Sequence, residues 1–381
     1  MRSDPAAKIK TWVEIDLKQL GENYRALRRK VRSQTAIMAV VKADAYGHGL
    51  VPVARELIRL GATALGVCSL EEGILIRKKV DPHIRVILLL GVLPGEIASC
   101  LTHRLTPVVY SLETASKLNL AAKRKKIRHP IHLKLDTGMG RLGLPWYEAE
   151  DFLRRLKPMD GLQLTGLTSH FGQADEKDKP YNQWQWKRYQ QALKLTRGYG
   201  LELTENHMAN SAALLNCRSS HLHYVRPGIL LYGCDPTTLP GEETPINIRP
   251  LMSLKTRILQ VKQIPAGFEV SYGGTYRTRR VETVAVIPAG YANGYPRALS
   301  NKGEVLIRGR RFPVIGRVCM NLTVIRVDGS LDLKPGEEVV LMGKQGQESI
   351  TPDELARKAG TIPYELFCLL GRMNRRRYLN G

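Results

Sequence analysis

Short apolar runs alternate with amphipathic stretches from residue 35 to about residue 233 of this chain. Runs rich in Val, Ile and Leu predict buried strands, and apolar positions spaced three and four residues apart predict helices. The predicted strands are AIMAVVKA, ALGVCSL, RVILLLG, LTPVVYS, IHLKLDT, LQLTGLTSH, LTENHMA and YVRPG. The predicted helices between them include VPVARELIRLG, LEEGILIRKKV, PGEIASCLTHR and YNQWQWKRYQQALKLT.

About eight strand–helix units predict an α/β fold, a (β/α)8 barrel of the TIM type, because that number of units closes a ring of parallel strands. The alternative is an open, doubly wound sheet. Such sheets have fewer strands and often begin with a GxGxxG turn, and no such turn follows the first strand here.

The pattern changes at a loop rich in Pro, Gly and acidic residues, CDPTTLPGEETPINIRP, residues 234–250. We therefore expect a barrel over residues 10–240 and a mainly β domain over residues 241–381. A strand near residues 9–16 is a further candidate for the second domain. The closely spaced strands of that domain are LKTRILQVKQI, FEVSYG, TVAVIPAG, GEVLIRG, FPVIGRVCM, TVIRVD and EEVVLMG.

One helix of the second domain has a clear start. Thr351, Pro352 and Glu354 occupy the N-cap, first and third positions of a predicted helix. This order is typical of a capping box, in which the Thr hydroxyl and the Glu carboxylate each accept from a free backbone amide.

Composition places the chain among soluble globular proteins. Its 381 residues are 43% hydrophobic and 24% charged, and no apolar run is long enough to span a bilayer. The first residues lack the apolar core of a secretory signal, so we expect a cytoplasmic protein. The six cysteines are scattered, which favours free thiols over disulfides or a metal site.

The charge is unusual, because 58 basic and 35 acidic residues give a net charge of +23. Such an excess raises the alternative of a nucleic-acid-binding protein. The densest basic runs are residues 123–126 and 375–377, and no aromatic residues interleave with them as a base-stacking surface requires. The first run is therefore interpreted as a solvated helix end, and the charge attracts anionic substrates or surfaces without naming a function.

Polar residues collect at the ends of the predicted barrel strands, where barrel enzymes carry their chemistry. Taken singly, a strand-end histidine is more often a core residue, and a lysine more often a surface residue. Because all of these residues are expected on one face of the barrel, a shared functional role is the better interpretation. The residues are Lys42, Lys134, Asp136, Arg141, His170, Asn210, Ser211, Arg226, Gly228 and Ile229.

The loops after the seventh and eighth strands are the usual phosphate site of this barrel. Ser211 offers a hydroxyl, and the backbone N–H groups of Gly228 and Ile229 open a short helical stretch, GILLYG. A phosphate site together with the amine of Lys42 suggests pyridoxal phosphate, whose aldehyde condenses with a lysine.

The motifs AVVKADAYGHG, KLDTGMGRLG, HMANSA, VRPGILLYG, MSLKTRI, VSYGGTY, PAGYANGYPR and GRVCMN closely resemble those of alanine racemases. These are pyridoxal-phosphate enzymes with an α/β barrel and a C-terminal β domain. The resemblance runs from about residue 10 to the last helix. It implies interconversion of L- and D-alanine, a homodimer with shared active sites, and a supply of D-alanine for peptidoglycan.

The resemblance also implies a role for individual residues. Lys42 holds the cofactor and is one catalytic base, and Tyr272, supplied by the partner subunit, is the other. The expected cofactor contacts are Tyr46, Ser211, Gly228 and Ile229 around the phosphate and Arg226 at the pyridine nitrogen. His170, beside Arg226 and Tyr272, and Asn210 are further expected cofactor-binding residues. The expected substrate contacts are Arg141 and the backbone of Met320 on the carboxylate, with Tyr291 in the same pocket.

Three expectations concern charge. Tyr272 needs nearby positive charge to act near neutral pH, and Arg226 and His170 are expected to provide it. Arg226 does not give up its proton, so it should leave the ring nitrogen unprotonated and limit side reactions. Strand alternation points Lys134 into the barrel near Arg141. Lys134 then pairs with Asp136, has a lowered pKa, or forms a carbamate, as the resemblance favours.

Two positions depart from the pattern of the family. Asn321 stands where many members have Asp, and the last helix offers Gly371, Arg372 or Met373 where many have a tyrosine. Arg226 argues against a decarboxylase of the same fold, and the β domain argues against a single-barrel pyridoxal-phosphate carrier. A broader-specificity amino-acid or serine racemase remains an open alternative.

Overall fold

A ring of parallel strands makes up the first part of the protein in the computed structural model, which describes residues 10–201, 203–238 and 244–380. The elements of this part are β1 (Thr11–Asp16), α1 (Leu17–Lys30), β2 (Ala36–Val40), α2 (Lys42–Tyr46), α3 (Leu50–Arg59), β3 (Ala64–Val67), α4 (Leu70–Lys79), β4 (Arg85–Leu88), α5 (Ile97–Thr102), β5 (Thr106–Val109), α6 (Leu112–Arg124), β6 (His129–Asp136), β7 (Leu144–Pro145), α7 (Ala149–Leu156), β8 (Leu162–Thr168), α8 (Pro180–Gly198), α9 (Ser211–Asn216) and β9 (Tyr224–Val225).

Parallel pairing runs around the ring without a break. Strands β2 to β6 pair in sequence, and β6 pairs next with β8. The predicted strand LTENHMA is reduced to His207, which bridges Thr168 of β8 and Tyr224 of β9. Strand β9 then pairs with β2, so the barrel closes at eight positions. The predicted barrel is confirmed, and an open sheet is wrong.

The second part is mainly β, as predicted. Its elements are β10 (Met252–Arg257), β11 (Gln260–Ile264), β12 (Glu282–Ile287), β13 (Glu304–Ile307), β14 (Arg310–Ile315), β15 (Thr323–Val327), β16 (Glu338–Gln345), β17 (Glu348–Ile350), α10 (Pro352–Ala359), α11 (Pro363–Met373) and β18 (Arg375–Leu379). Strand β1 lies in this sheet between β10 and β18, antiparallel to the first and parallel to the second. The boundary expected at residues 240 and 241 lies outside the described residues.

Two local predictions differ from the structure. The segment FEVSYG does not form a strand, because Ser271, Gly273 and Gly274 have positive φ angles and the chain turns at Tyr272–Gly274. Thr351 does cap α10, accepting from the amide of Glu354 at 3.1 Å. The Glu354 carboxylate, however, contacts Arg311 and Lys358, because two cations attract it more strongly than a backbone amide.

Helix α8 is the longest helix, with 19 residues, and its sequence PYNQWQWKRYQQALKLTRG is strongly polar. Within residues 10–201, 203–238 and 244–380, no helix has both the length and the apolar character needed to cross a membrane. All six cysteines are free thiols.

Helix α11 packs directly against the turn that carries Lys42. A Cβ atom on Gly371 would overlap the carbonyl oxygen of Gly47, and a Cβ on Gly47 would overlap the carbonyl oxygen of Phe367. The Phe367 ring also meets His48 edge-on, with centroids 4.9 Å apart. The last helix therefore fixes the position of the residues that follow the first barrel strand.

We expect Gly371→Ala to destabilise the protein by about 1–3 kcal/mol or more, because the added methyl group forces α11 and the Gly47 turn apart. Urea unfolding should show a lower midpoint with an unchanged slope. Gly198→Ala is the matched control, since Gly198 is also helical and has open space around it. An equal stability of the two variants would contradict this packing.

Candidate active site

A cavity of about 700 Å³ opens at the carboxyl ends of the barrel strands. Its wall contains every barrel residue to which the sequence assigned a catalytic, cofactor or substrate role. These residues are Lys42, Tyr46, Lys134, Arg141, His170, Asn210, Ser211, Arg226, Gly228 and Ile229.

The turn after β2 is a left-handed helical turn made without glycine. Ala43, Asp44, Ala45 and Tyr46 all have φ angles of 53° or 54°. This conformation costs about 1–2 kcal/mol for each L-residue, so the surrounding structure must hold it. It places Lys42 and Tyr46 on the same side of the chain, with the Lys42 amine 6.0 Å from the centre of the Tyr46 ring.

The Asp44 carboxylate holds this turn from both ends. It accepts from the amide of Leu50 at 2.6 Å and pairs with Arg376 at 2.5 Å. The Tyr46 ring stacks on Tyr232, with centroids 4.7 Å apart. The orientation of Lys42 therefore depends on contacts from α3, β18 and the barrel core.

Tyr46, Ser211 and Gly228 form a cradle of hydroxyl and amide groups. The amide of Gly228 donates to Ser211 Oγ at 2.9 Å, and a Cβ on Gly228 would overlap the Tyr46 hydroxyl. Asn210 caps helix α9, accepting from the amide of Ala213 at 2.9 Å. Only glycine fits at residue 228, and the donors that converge there suit a phosphate group.

Arg226 is buried, with 6% of its surface exposed, and is fixed by neutral acceptors. Burial lowers the pKa of Arg226 to about 10, so its guanidinium remains charged at neutral pH. The acceptors are Thr168 Oγ1 (3.2 Å), His207 Nδ1 (2.7 Å), the carbonyl oxygens of Ser169 (2.8 Å) and Met208 (3.1 Å), and His170 Nδ1 (3.2 Å).

His170 does not supply the positive charge expected of it. Burial, and then the charges of Arg226, Lys134, Arg141 and Lys42, lower the pKa of His170 well below its ordinary value. Its Nδ1 accepts from Arg226, so its proton lies on Nε2. His170 is therefore a neutral hydrogen-bond donor beside the guanidinium.

A buried chain of hydrogen bonds leads from Arg226 across the barrel interior. His207 Nε2 lies 2.8 Å from His132 Nδ1, and His132 Nε2 lies 2.7 Å from the Glu205 carboxylate, which pairs with Arg85 at the far end. Burial first, with Arg226 next, lowers the pKa of His207 well below its ordinary value, so the chain connects neutral imidazoles. The sequence analysis missed these residues, although His132 shares the strand alternation of Lys134.

Lys134 does not pair with Asp136, because the Asp136 carboxylate accepts from the amides of Gly138 (2.8 Å) and Arg141 (3.1 Å) in the following loop. Burial, followed by repulsion from Arg226 and Arg141, lowers the pKa of Lys134 to about 8. Of the three expectations for Lys134, the ion pair is therefore wrong.

Hydrogen bonds from helix α8 hold the two loops that carry Arg141 and His170 in place. The buried amide of Gln185 donates to the carbonyl oxygen of His170 at 3.0 Å and accepts from the amide of Gly172 at 2.9 Å. Tyr181 donates to the carbonyl oxygen of Gly138 at 2.7 Å.

Tyr272, Tyr291 and Met320 lie together on the β domain but outside the cavity wall. Their exposed fractions are 75%, 43% and 56%. Ser271 Oγ lies 3.1 Å from Cys319 Sγ, and the amide of Tyr291 donates to the carbonyl oxygen of Cys319 at 3.1 Å. We call this cluster the β-domain patch. Such an exposed group of aromatic and Met side chains is typical of an interface.

The last helix supplies a tyrosine to the cavity from its first turn. Tyr364 is the second residue of α11 and lines the cavity 6.0 Å from the ring of Tyr46. Gly371, Arg372 and Met373 lie at the other end of α11 and are not part of the cavity wall.

Comparison with known families agrees with both parts of the chain. The profile of "Alanine racemase, N-terminal domain" matches residues 15–236, and that of "Alanine racemase, C-terminal domain" matches residues 251–378. The chain belongs to the alanine racemase family. The broader-specificity alternative is not favoured by these matches.

Similar alanine racemases span the whole chain. That of Syntrophobacter fumaroxidans is 41% identical over 371 residues, covering 97% of this chain and 98% of that protein. The solved alanine racemase of Streptomyces coelicolor A3(2) is 35% identical with a TM-score of 0.92, covering 99% and 100% of the two chains. That of Bartonella henselae, solved with covalently bound pyridoxal phosphate, is 28% identical with a TM-score of 0.87, covering 97% and 99%.

The lowered pKa of Lys134 predicts a pH-dependent stability in this member of the alanine racemase family. Between about pH 8 and pH 10 the unfolded chain keeps the proton on Lys134 and the folded chain does not, so folding becomes more favourable as pH rises. The free energy of unfolding should rise relative to Lys134→Met by at most about 3 kcal/mol across this window.

Urea unfolding in buffer free of carbon dioxide measures this difference. Lys194→Met is the control, because Lys194 lies exposed on α8 and should show a constant difference from the wild type. A difference between wild type and Lys134→Met that does not change with pH would contradict the lowered pKa.

Proposed function

We propose that this protein interconverts L-alanine and D-alanine with pyridoxal phosphate as its cofactor, in active sites shared by two subunits. The observation that carries the proposal is the joint presence of the Lys42 amine, the Arg226 guanidinium and the Tyr46–Ser211–Gly228 cradle in one cavity. An amine, a cation that faces a ring nitrogen and a phosphate cradle together fit this cofactor.

Pyridoxal phosphate, when bound, withdraws electrons from the Cα atom of an amino acid and makes its proton acidic. Lys42 would hold the cofactor, and its amine, when free, would take or return the proton on one face of Cα. Tyr272 of the partner subunit serves the opposite face. Racemisation needs both, because the proton leaves one face and another arrives on the other.

The charged groups around Cα determine how readily a proton leaves or reaches each of its two faces. Arg226 keeps its proton, so it would act toward the pyridine nitrogen as a hydrogen-bond donor only, and the bound cofactor would supply a moderate electron withdrawal. Arg226 and Arg141 supply the positive field that favours an ionised Tyr272, while neutral His170 links Arg226 to that tyrosine by a hydrogen bond. Arg141 and the Met320 backbone hold the substrate carboxylate.

A homodimer completes the site. The β-domain patch of Tyr272, Tyr291 and Met320 is exposed, and Tyr272, the proposed second base, lies outside the wall of the barrel cavity. Apposing the patch on the cavity of a second copy buries the exposed side chains and supplies that base, which supports a two-fold arrangement. We further propose that the protein acts in the cytoplasm and supplies D-alanine for peptidoglycan.

Lys134 is proposed to carry a carbamate, formed when its neutral amine adds to carbon dioxide and releases one proton. The reaction converts a cation among cations into an anion that accepts from Arg141. A pKa of about 8 leaves enough neutral amine near pH 8 for this addition.

Racemase activity is tested by chiral chromatography with a panel of amino acids. L- and D-alanine should interconvert much faster than serine or larger amino acids. A turnover of serine equal to that of alanine would replace the proposal with a broader racemase.

Lys42→Ala should abolish the absorption band of the bound cofactor at about 420 nm and nearly all racemisation, because no other amine replaces it. Lys302→Ala, an exposed lysine of the β domain, is the control and should keep both. Retention of the band and of activity in Lys42→Ala would exclude this residue as the anchor.

Paired heterodimers test the shared site. A Lys42→Ala chain joined to a Tyr272→Phe chain should have one intact site and about half the activity of the wild-type dimer. A wild-type chain joined to a chain with both substitutions should have none. If each subunit held a complete site, the two results would be reversed.

The carbamate is tested by NMR with ¹³C-labelled bicarbonate. The protein should show a carbamate carbon signal that disappears in Lys134→Arg, whose guanidinium cannot react, and persists in Lys194→Arg. The same signal in Lys134→Arg would assign the carbamate elsewhere.

A further inference from the structure

The excess positive charge of the chain is concentrated at one end of the barrel. The final helical turns and the loops that lead into the eight barrel positions contain, among the residues that the structure describes, 20 lysine and arginine residues against four aspartate and glutamate residues. These residues carry a charge of +16, in a chain whose net charge is +23. We call the surface formed by these segments the basal face: 27–36, 56–64, 76–85, 99–106, 121–129, 153–162, 195–201, 203–207 and 213–224.

The topology brings these segments to one face. All eight barrel positions are parallel, so the segments before them meet at the amino ends of the strands, opposite the cavity. The cavity itself is lined by cations, but the helix ends around it differ from those of the basal face: the first turns of α4, α6 and α7 contain Glu71, Glu72, Glu113, Glu150 and Asp151. The excess of exposed cations is therefore specific to the basal face.

Folding explains only part of the charge on the basal face. Arg28 and Arg77 donate to loop carbonyl oxygens, and Arg85 pairs with Glu205. A cation in the last turn also stabilises its helix, but this effect falls off beyond that turn. Eight cations lie past the last turns: Arg32, Arg85, Arg104, Lys125, Lys126, Arg128, Lys157 and Arg218.

The densest part of the basal face combines charge with exposed apolar side chains. Residues 123–126 are all exposed. On either side of them, Leu120 is 56% exposed and Ile127 is 40% exposed. Cations beside apolar side chains that can enter a headgroup layer are typical of proteins that bind a membrane surface.

The shape of the basal face favours a lipid surface over a nucleic acid. The charges surround the end of a barrel. The cavity of about 480 Å³ on this face has Arg197 as the single lysine or arginine of its lining, so it is not a cation-lined groove that follows a phosphate backbone. Helices meet the surface end-on, so none lies along it to enter a major groove. Residues 121–129 contain no aromatic side chain on which a base could stack.

We propose that the basal face binds anionic phospholipid headgroups, so that the protein associates with the inner surface of the membrane. The proposed dimer covers the cavity end of each barrel and leaves the basal face free. Binding points the cavity toward the aqueous phase, and amino acids still reach it.

The test uses the holoenzyme and sedimentation with vesicles. Vesicles of one part phosphatidylglycerol to two parts phosphatidylcholine should bind the protein at about 0.1 M salt and release it at about 0.5 M, where screening shortens the range of the charges. Pure phosphatidylcholine vesicles should not bind it.

The Lys123→Gln, Arg124→Gln, Lys125→Gln, Lys126→Gln variant should bind anionic vesicles at least about tenfold more weakly. The matched control, Lys262→Gln, Arg279→Gln, Arg280→Gln, Lys344→Gln, removes the same charge from exposed positions of the β domain and should change binding by less than about threefold. Unchanged racemase activity shows that both variants are folded, and it keeps this test separate from the proposed function.

Equal weakening in the two variants would overturn the proposal, because binding would then follow net charge alone. Tighter binding to a mixed-sequence duplex RNA than to the anionic vesicles, at equal phosphate concentration, would also overturn it.

Discussion

Four cationic side chains share one cavity, and their mutual repulsion determines the rest of the site. Lys42, Lys134, Arg141 and Arg226 all line it, and Asp136 is occupied by loop amides. Charges of one sign in a low-dielectric space raise the cost of any further cation. The protein relieves this by keeping His170 and His207 neutral and by weakening the hold of Lys134 on its proton. The remaining positive field suits a ligand with a phosphate and a carboxylate.

The site also depends on the contacts that hold the turn at Lys42 in place against the β domain. The left-handed turn at Lys42–Tyr46 is strained, and Asp44, Arg376 and the last helix keep it in place. Because β18 lies in the sheet of the second part, the ion pair of Arg376 with Asp44 joins that turn to the β domain. The barrel cavity and the exposed β-domain patch together fit a function in which the patch of one copy of the chain meets the cavity of a second copy.

The sequence predicted what depends on local periodicity and strand ends. Eight strand positions, the strand end at Lys42 and the loop residues from Arg141 to Ile229 follow from patterns a few residues long. The sequence did not predict the hydrogen-bond chain Arg226–His207–His132–Glu205, because its contacts join residues that lie far apart in the sequence. The neutral state of His170 was missed because a pKa depends on burial and on charges from other strands. FEVSYG has strand periodicity, but its flanking glycines favour a turn.

Hydrogen exchange at Cα tests the central claim, that two bases on opposite faces act in one site. The measurement follows deuterium entry from D₂O into each enantiomer of alanine for the wild type, Tyr272→Phe and the neighbouring control Tyr276→Phe. The account predicts that Tyr272→Phe still exchanges D-alanine through Lys42, loses exchange of L-alanine and no longer racemises, while Tyr276→Phe behaves as wild type. Equal loss of exchange for both enantiomers in Tyr272→Phe would contradict the account.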